Sequence, residues 1–174
     1  MQDFPATIGP ELFAWLVDQH SARMMLYARQ FCDCPEDAVQ ETLLALARQP
    51  RAPDRLLPWL YRTLRHAAID ASRRRARRRR REGVVAAGAS PWFTPRADDR
   101  LDAETAVASL ERLSAAQREI VVAHLWGGLS FAEIADLVHV SDSTVHRHYH
   151  EAIRELRSQL GESCLPIATI PKRL

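Results

Sequence analysis

Lysine is almost missing from this chain. Of its 24 basic residues only Lys172 is a lysine, a bias that a high-GC coding sequence explains as well as selection for guanidinium chemistry does. Cysteine is scarce too. Cys32, Cys34 and Cys164 give one C-x-C and a distant third, which is neither a disulfide framework nor a zinc spacing, and they read as small, partly buried thiols. No apolar run approaches the ~20 residues of a membrane span, which excludes insertion in a bilayer. The opening MQDFPATIGPELF lacks the basic start and apolar core of a signal peptide, so a cytoplasmic protein is expected. There is no nucleophile motif, no phosphate-binding glycine loop and no metal-ligand cluster, so neither an enzyme nor a cofactor or metal is expected. His124 and Cys164 have nothing around them that suggests chemistry and read as structural. No stretch reads as a strand, and no repeat is visible.

What is present is helical pattern and one block of charge. The 174 residues suit one large domain or two small ones, and 47% apolar content is enough for packed cores. Net charge is only +2, yet eight of the nine residues Arg73 to Arg81 are arginine, so the rest of the chain sums to −6. Positive charge this local implies an anionic partner at that place.

The stretch ELFAWLVDQHSARMMLYARQFC places Leu12, Trp15, Leu16, Met24, Leu26, Tyr27 and Phe31 at helical spacing without glycine or proline. Pro35, Glu36 and Asp37 open a second helix, since proline and acids suit a first turn. Its apolar stripe is Val39, Leu43, Leu46 and Ala47, with Glu36, Gln40 and Glu41 on another side. Residues 49–58, with three prolines, read as a loop. A long helix follows from about Leu57. Leu57, Leu60, Leu64, Ala67 and Ala71 share one face, while Arg62, His66, Ile69 and Arg73 share another beside Arg65, so the polar stripe leads into the arginine run. Residues 82–100 lose the helical period and read as a flexible linker, in which Trp92 and Phe93 dock on the chain's own surface or on a partner. Helical pattern returns after Leu101, with Ala106, Leu110 and Leu113 leading to a cap at Ser114. Gly127 and Gly128 stop the helix that Ser114 begins, and Ser130 with Glu133 forms a capping-box spacing.

The segment FAEIADLVHVSDSTVHRHYH, residues 131–150, fits a helix-turn-helix. Ile134, Ala135, Val138, Val140 and Val145 take the buried positions. Ser141 caps the second helix, which runs from about Asp142 to Leu160. The turn holds His139 where glycine is usual, at a cost of ~1 kcal/mol for the left-handed conformation. Along the second helix Val145, Tyr149, Ile153, Leu156 and Leu160 look inward. Ser143, Thr144, His146, Arg147 and His150 look outward as a DNA-reading face: arginine can bind guanine through two bonds, and hydroxyls can bind phosphate. Arg154 and Arg157 either touch phosphate or favour the helix C-terminus.

Three blocks, EDAVQET, then LRHAAID followed by arginines, then GLSFAEIA…STV…A…LR, stand in one order over about residues 10–160. In this the chain resembles bacterial RNA polymerase sigma factors of the extracytoplasmic-function (ECF) type. The resemblance implies an all-α protein of two small helical domains. Residues 10–81 are then a region 2-like domain, 82–100 the linker through the polymerase's RNA-exit path, 101–160 a region 4-like helix-turn-helix domain, and 161–174 a tail without an assigned role. It further implies that Asp37, Gln40 and Glu41 dock on the β′ clamp helices of core RNA polymerase and that the second domain meets the β flap. The segment Arg51 to Leu57 would capture a flipped base of the minus-10 promoter element. Arg62, Arg65, His66, Ile69, Asp70, Arg73 and Arg74 would melt and read that element, with Arg77 and Arg78 on its backbone, and His146, Arg147, His150 and Glu151 would face the minus-35 element. Promoter DNA, core polymerase and an anti-sigma factor are the implied partners of a chain that is monomeric when free. Two positions depart from the family pattern: His66 stands where asparagine is frequent, and Glu151 stands where a basic residue is usual and should repel phosphate.

Two other functions compete. GLSFAEIADLVHVSDSTVHRH also resembles the output domain of LuxR-type regulators, which would make the chain an autonomous DNA-binding regulator, although those lack the acidic and arginine-ended helices upstream. A nucleic-acid-processing enzyme has no supporting motif. The first part of the arginine run extends the helix from Leu57. Like charges at i and i+4 cost a few tenths of a kcal/mol each, so the later arginines are expected to fray until phosphate arrives.

Overall fold

A computed structural model describes residues 8–82 and 108–160. Among these every regular element is a helix: α1 Pro10–Ala28, α2 Pro35–Ala47, α3 Leu56–Glu82, α4 Ala115–Leu125, α5 Phe131–Val138 and α6 Asp142–Leu160, with residues 108–112 helical just before α4. The all-α reading therefore holds. The linker beyond Glu82, Trp92, Phe93, Ala106, Cys164 and the tail 161–174 lie outside the described residues.

The first three helices pack on one another and the last three do likewise, giving two helical groups. Helix α1 ends at Ala28, short of the Cys32 that the apolar pattern suggested. Residues 29–31 leave the helix as turns, and Cys34, held at φ −129°, ψ 66° before Pro35, keeps the chain from running on into α2 as one helix. In α2 the buried face is Pro35, Ala38, Val39, Thr42 and Leu46. Ala47, expected in the stripe, is exposed, and Leu43 is half-buried. Thr42 takes a core place because its hydroxyl donates to the Ala38 carbonyl at 2.7 Å, which satisfies the only polar group it buries.

Helix α3 begins one residue earlier than expected, at Leu56, and takes Pro58 into its first turn, where a missing N–H does no harm. Leu56, Leu60, Tyr61, Leu64, Ala67 and Ala68 are buried, while Leu57 and Ala71 are half-buried. The helix does not fray at the later arginines. It continues through Arg81 and takes in Glu82, which the sequence reading gave to the linker. Acids along the way offset the crowding: Arg73 lies 3.7 Å from Asp70, Arg74 3.2 Å from Glu41, and Arg75 and Arg79 flank Asp33 at 3.4 and 3.8 Å. Basic residues also suit the negative end of a helix dipole.

In the second group, Ser114 and Ser130 each close a reciprocal capping box, with Gln117 and Glu133. Leu110, Leu113, Ile120, Val121, Val122, Leu129, Ile134, Leu137, Val145, Ala152 and Leu156 are buried. The two groups share one continuous core, in which Tyr27 and Tyr61 meet edge-on with ring centres 5.1 Å apart. Gly127 is buried where the groups meet. A Cβ there would lie 2.4 Å from the Ala123 carbonyl oxygen and 3.0 Å from the Tyr61 ring.

Candidate nucleic-acid interface

The helix-turn-helix is made by α5 and α6. His139 ends α5 at φ 60°, ψ 47°, the left-handed conformation expected of it. Ser141 then receives the Thr144 N–H at 3.2 Å and starts α6. Of the predicted buried set, Ile134, Ala135 and Val145 are buried, but Val138 is half-buried and Val140 is 42% exposed. Leu137 takes the buried place instead, because the left-handed turn after Val138 swings Val140 out of the helical register. Along α6, Val145 and Leu156 face inward as expected. Tyr149 and Ile153 are half-buried, and Ala152 is buried between them.

The outward face is largely as read. Ser143, His146, Arg147 and His150 are exposed, as is Glu151. Thr144 is the correction: it is half-buried and its hydroxyl lies 2.8 Å from that of Ser141, so it belongs to the turn more than to the open face. Ser143 shares the same Ser141 hydroxyl at 2.9 Å. His146 is set between Asp142, 3.9 Å from its Nε2, and the edge of Phe131, with ring centres 4.2 Å apart. Behind it His124 stacks on Phe131 and bonds the Leu129 carbonyl through Nδ1 at 2.8 Å, a structural role as anticipated. Burial raises the Tyr149 hydroxyl pKa, which keeps that position neutral.

On α3, Arg62, His66, Asp70, Arg73, Arg74, Arg77 and Arg78 are exposed, and Arg65 and Ile69 are half-buried. Asp37, Gln40 and Glu41 are exposed together on α2, whose outer side runs next to the arginine run. A cleft there is lined by Asp37 and Glu41 on one wall and by Arg74, Arg75, Arg77, Arg78 and Arg81 on the other. The C-x-C cysteines sit near this end of α3. Cys32 is buried, bonds the Ala28 carbonyl and has its pKa pushed up by burial to about 11, so it is a poor nucleophile. Among the described residues no group of three or more histidines, cysteines or acids is placed to hold a metal ion, and no helix is long and apolar enough to cross a membrane.

Arg65 does not lie open on the polar stripe. Its Nε donates to Glu119 Oε1 at 2.8 Å, and the Tyr27 hydroxyl donates to the same oxygen at 2.7 Å. Burial disfavours the Arg65 charge, but the Glu119 carboxylate more than offsets this and raises its pKa. Burial, and then the same carboxylate, push the Tyr27 pKa well up. Farther along the junction Arg55 reaches Glu133 at 3.0 Å and Asp136 at 3.9 Å. Sequence reasoning missed Glu119, although a lone acid in the run EIVVA, on an otherwise apolar face, was the available signal. Nothing local pointed to Tyr27 as its partner, 92 residues away.

Comparison with known proteins follows the same division. Residues 16–78 match the family model for sigma-70 region 2, and residues 104–156 match that for sigma-70, region 4. The ECF RNA polymerase sigma factor SigL of Mycobacterium tuberculosis (strain H37Rv) is 33% identical over 155 residues, which cover 84% of this chain and 88% of that protein. In fold, the chain resembles the sigma factor RpoE of Bartonella quintana, solved with the anti-sigma factor NepR. The TM-score is 0.64 at 23% identity, over 87% of this chain and 96% of the other. It also resembles CnrH, solved with the cytosolic domain of CnrY, with a TM-score of 0.56 at 24% identity over 88% and 90% of the two chains.

Proposed function

Because this chain belongs to the ECF sigma factors, and so directs core RNA polymerase to promoters and assists their opening, we propose how its residues divide that task. Residues 10–81 form the unit that docks on polymerase and opens DNA, and residues 101–160 form the upstream reader. Asp37, Gln40 and Glu41, exposed together on α2, meet the β′ clamp helices. The second unit meets the β flap. Arg62, Arg65, His66, Ile69, Arg73 and Arg74 on α3 engage the minus-10 element, with Arg77 and Arg78 on its backbone. Ser143, His146, Arg147 and His150, with Thr144 at their base, engage the minus-35 element.

The observation that supports this reading is the pairing, in one chain, of a helix ending in a continuous helical arginine run with a helix-turn-helix, on separate helical groups, whose second helix exposes Arg147 beside His146 and His150. A sigma factor opens a duplex without ATP. Holding flipped bases while arginines grip the backbone offsets unstacking of a few kcal/mol per base. Such work needs no catalytic group, and we take the chain to be non-enzymatic, cytoplasmic and monomeric when free. RpoE of Bartonella quintana forms a complex with the anti-sigma factor NepR, and we propose a partner of that kind here. The region 2 match upstream of the helix-turn-helix leaves the autonomous-regulator reading unsupported.

The test is reconstitution. Purified chain and core polymerase are incubated with promoter libraries and transcript starts are mapped. Promoter-specific starts are expected only when both are present. Tight, specific duplex binding by the chain alone, with no effect on core polymerase, would sink the proposal.

A further inference from the structure

Helix α6 carries little fixed positive charge for a DNA reader. Over residues 142–151 one arginine, Arg147, stands against two acids, Asp142 and Glu151, so the stretch sums to −1 while its histidines are neutral. Phosphate repels such a face. The same ten residues hold three histidines, and they are not equivalent. His148 is half-buried and lines a cleft with Thr144 and Val138. His146 and His150, one turn apart, are exposed on the reading side, with ring centres 6.1 Å apart and planes 25° from parallel. Both rings are backed by aromatic packing. His146 meets Phe131 of α5, which stacks in turn on His124 of α4 at 4.5 Å. His150 meets the Tyr149 ring edge-on at 5.6 Å. Among the described residues, α6 sets Asp142, 3.9 Å from the His146 Nε2, and the exposed Arg147, Glu151 and Arg154 around the pair. From α4 comes His124, behind Phe131, while the α5 carboxylates Glu133 and Asp136 turn to Arg55 instead.

We infer that DNA binding by α6 is coupled to proton uptake at His146 and His150, which turns the reading face from net −1 to net +1 and makes upstream recognition strengthen as pH falls. The inference rests on the assignment of α6 to the minus-35 element. Imidazole titrates near neutrality, so a neighbouring charge decides its state. In the free chain a proton on one ring repels a proton on the other, and Asp142 offers a counter-charge to His146 alone. The phosphate backbone relieves that repulsion and gives both rings a partner. Linkage then fixes the sign. A group that holds its proton more tightly on DNA strengthens binding in full below its titration range in the free chain. That contribution is lost as pH rises through its range on DNA. Glu151 belongs to the device, because an acid at that place leaves the face anionic until the histidines are charged.

The test uses the full chain on core polymerase and a fluorescent duplex from a promoter found by transcript mapping, once whole and once cut short of the upstream element. Affinity is measured from pH 8 down to pH 5.5 for the wild type and for the double variant His146→Gln, His150→Gln, whose side chains stay polar but cannot titrate. Polymerase contributes alike to both, so the difference between them belongs to the two histidines. On the whole duplex the wild type should gain about tenfold more affinity over this range than the double variant, the effect of one pKa unit shared by the pair. At the acid end its log–log salt dependence should exceed that of the variant by ~0.9 for each phosphate newly neutralised. On the shortened duplex the two proteins should behave alike. Equal pH dependence of wild type and double variant on the whole duplex overturns the inference. Arg147→Ala separates this from failure of the underlying assignment. If Arg147→Ala weakens binding to the whole duplex while the histidine variant keeps the wild-type pH dependence, the coupling is wrong and the assignment stands. If neither Arg147→Ala nor loss of the upstream element changes affinity, the assignment itself fails.

Discussion

At the scale of single residues, His139 and Gly127 show how backbone and packing constrain side-chain choice. His139 holds a left-handed conformation that disfavours a Cβ by about 1–2 kcal/mol. His139→Gly should therefore be neutral or gain up to about 1 kcal/mol, part of the relief being offset by the entropy of the unfolded glycine. His139→Val should lose at least about 1 kcal/mol, since a branched Cβ fits that region worst. Urea denaturation midpoints check both. Gly127→Ala forces its new methyl against the Ala123 carbonyl and the Tyr61 ring and should cost about 1–3 kcal/mol by the same measurement. Arg147 is exposed on the face proposed to read the upstream element, and its alanine variant should weaken recognition of that element by ~1–3 kcal/mol. Loss on all upstream sequences alike, in binding measured across a promoter library, would make it a phosphate contact instead.

At the scale of elements, caps and charge runs decide where helices begin and how far they go. Burial works to raise the Glu133 pKa, but the Ser130 N–H and hydroxyl and the Arg55 guanidinium outweigh it and lower the value. A depressed folded-state pKa gives stability that is complete above the ordinary glutamate range. That stability is lost as pH falls through the lowered value. Unfolding followed from neutral pH into acid should thus show a decline that flattens in Glu133→Gln, which keeps the capping bond but cannot titrate. The arginine run belongs to this scale as well. Neutralising Arg77 to Arg81 should flatten the salt dependence of open-complex formation while promoter choice stays the same. A changed promoter preference would show that these arginines read bases. The helix starts at Pro35, Ser114, Ser130 and Ser141 were legible because caps act within three residues. The persistence of α3 through its arginines was not, because Asp33 and Glu41 approach it from elements 33 to 46 positions away.

At the scale of the whole molecule, two readers on one chain act together only when something fixes their separation. In the proposed division of labour core polymerase does this, so the spacing of the two promoter elements should matter as much as their sequence. Each added base pair moves one element by about 3.4 Å relative to the other. Two added base pairs should lower initiation by roughly tenfold, about 1.4 kcal/mol, in run-off transcription with the chain on core polymerase. An unaffected yield would mean that the readers work independently. The sequence by itself determined the helical class, the caps, the helix-turn-helix with its strained turn, and most of the exposed basic faces. Each depends on residues three or four positions apart, and helical periodicity carries that information directly. Only the tertiary structure decided which of those faces is covered in the free chain. Arg65 reads as one more exposed arginine until Glu119, 54 residues on, is folded against it. Long-range pairing has no local signature, because it depends on how two apolar surfaces pack, and that is what brings a buried acid to its donors.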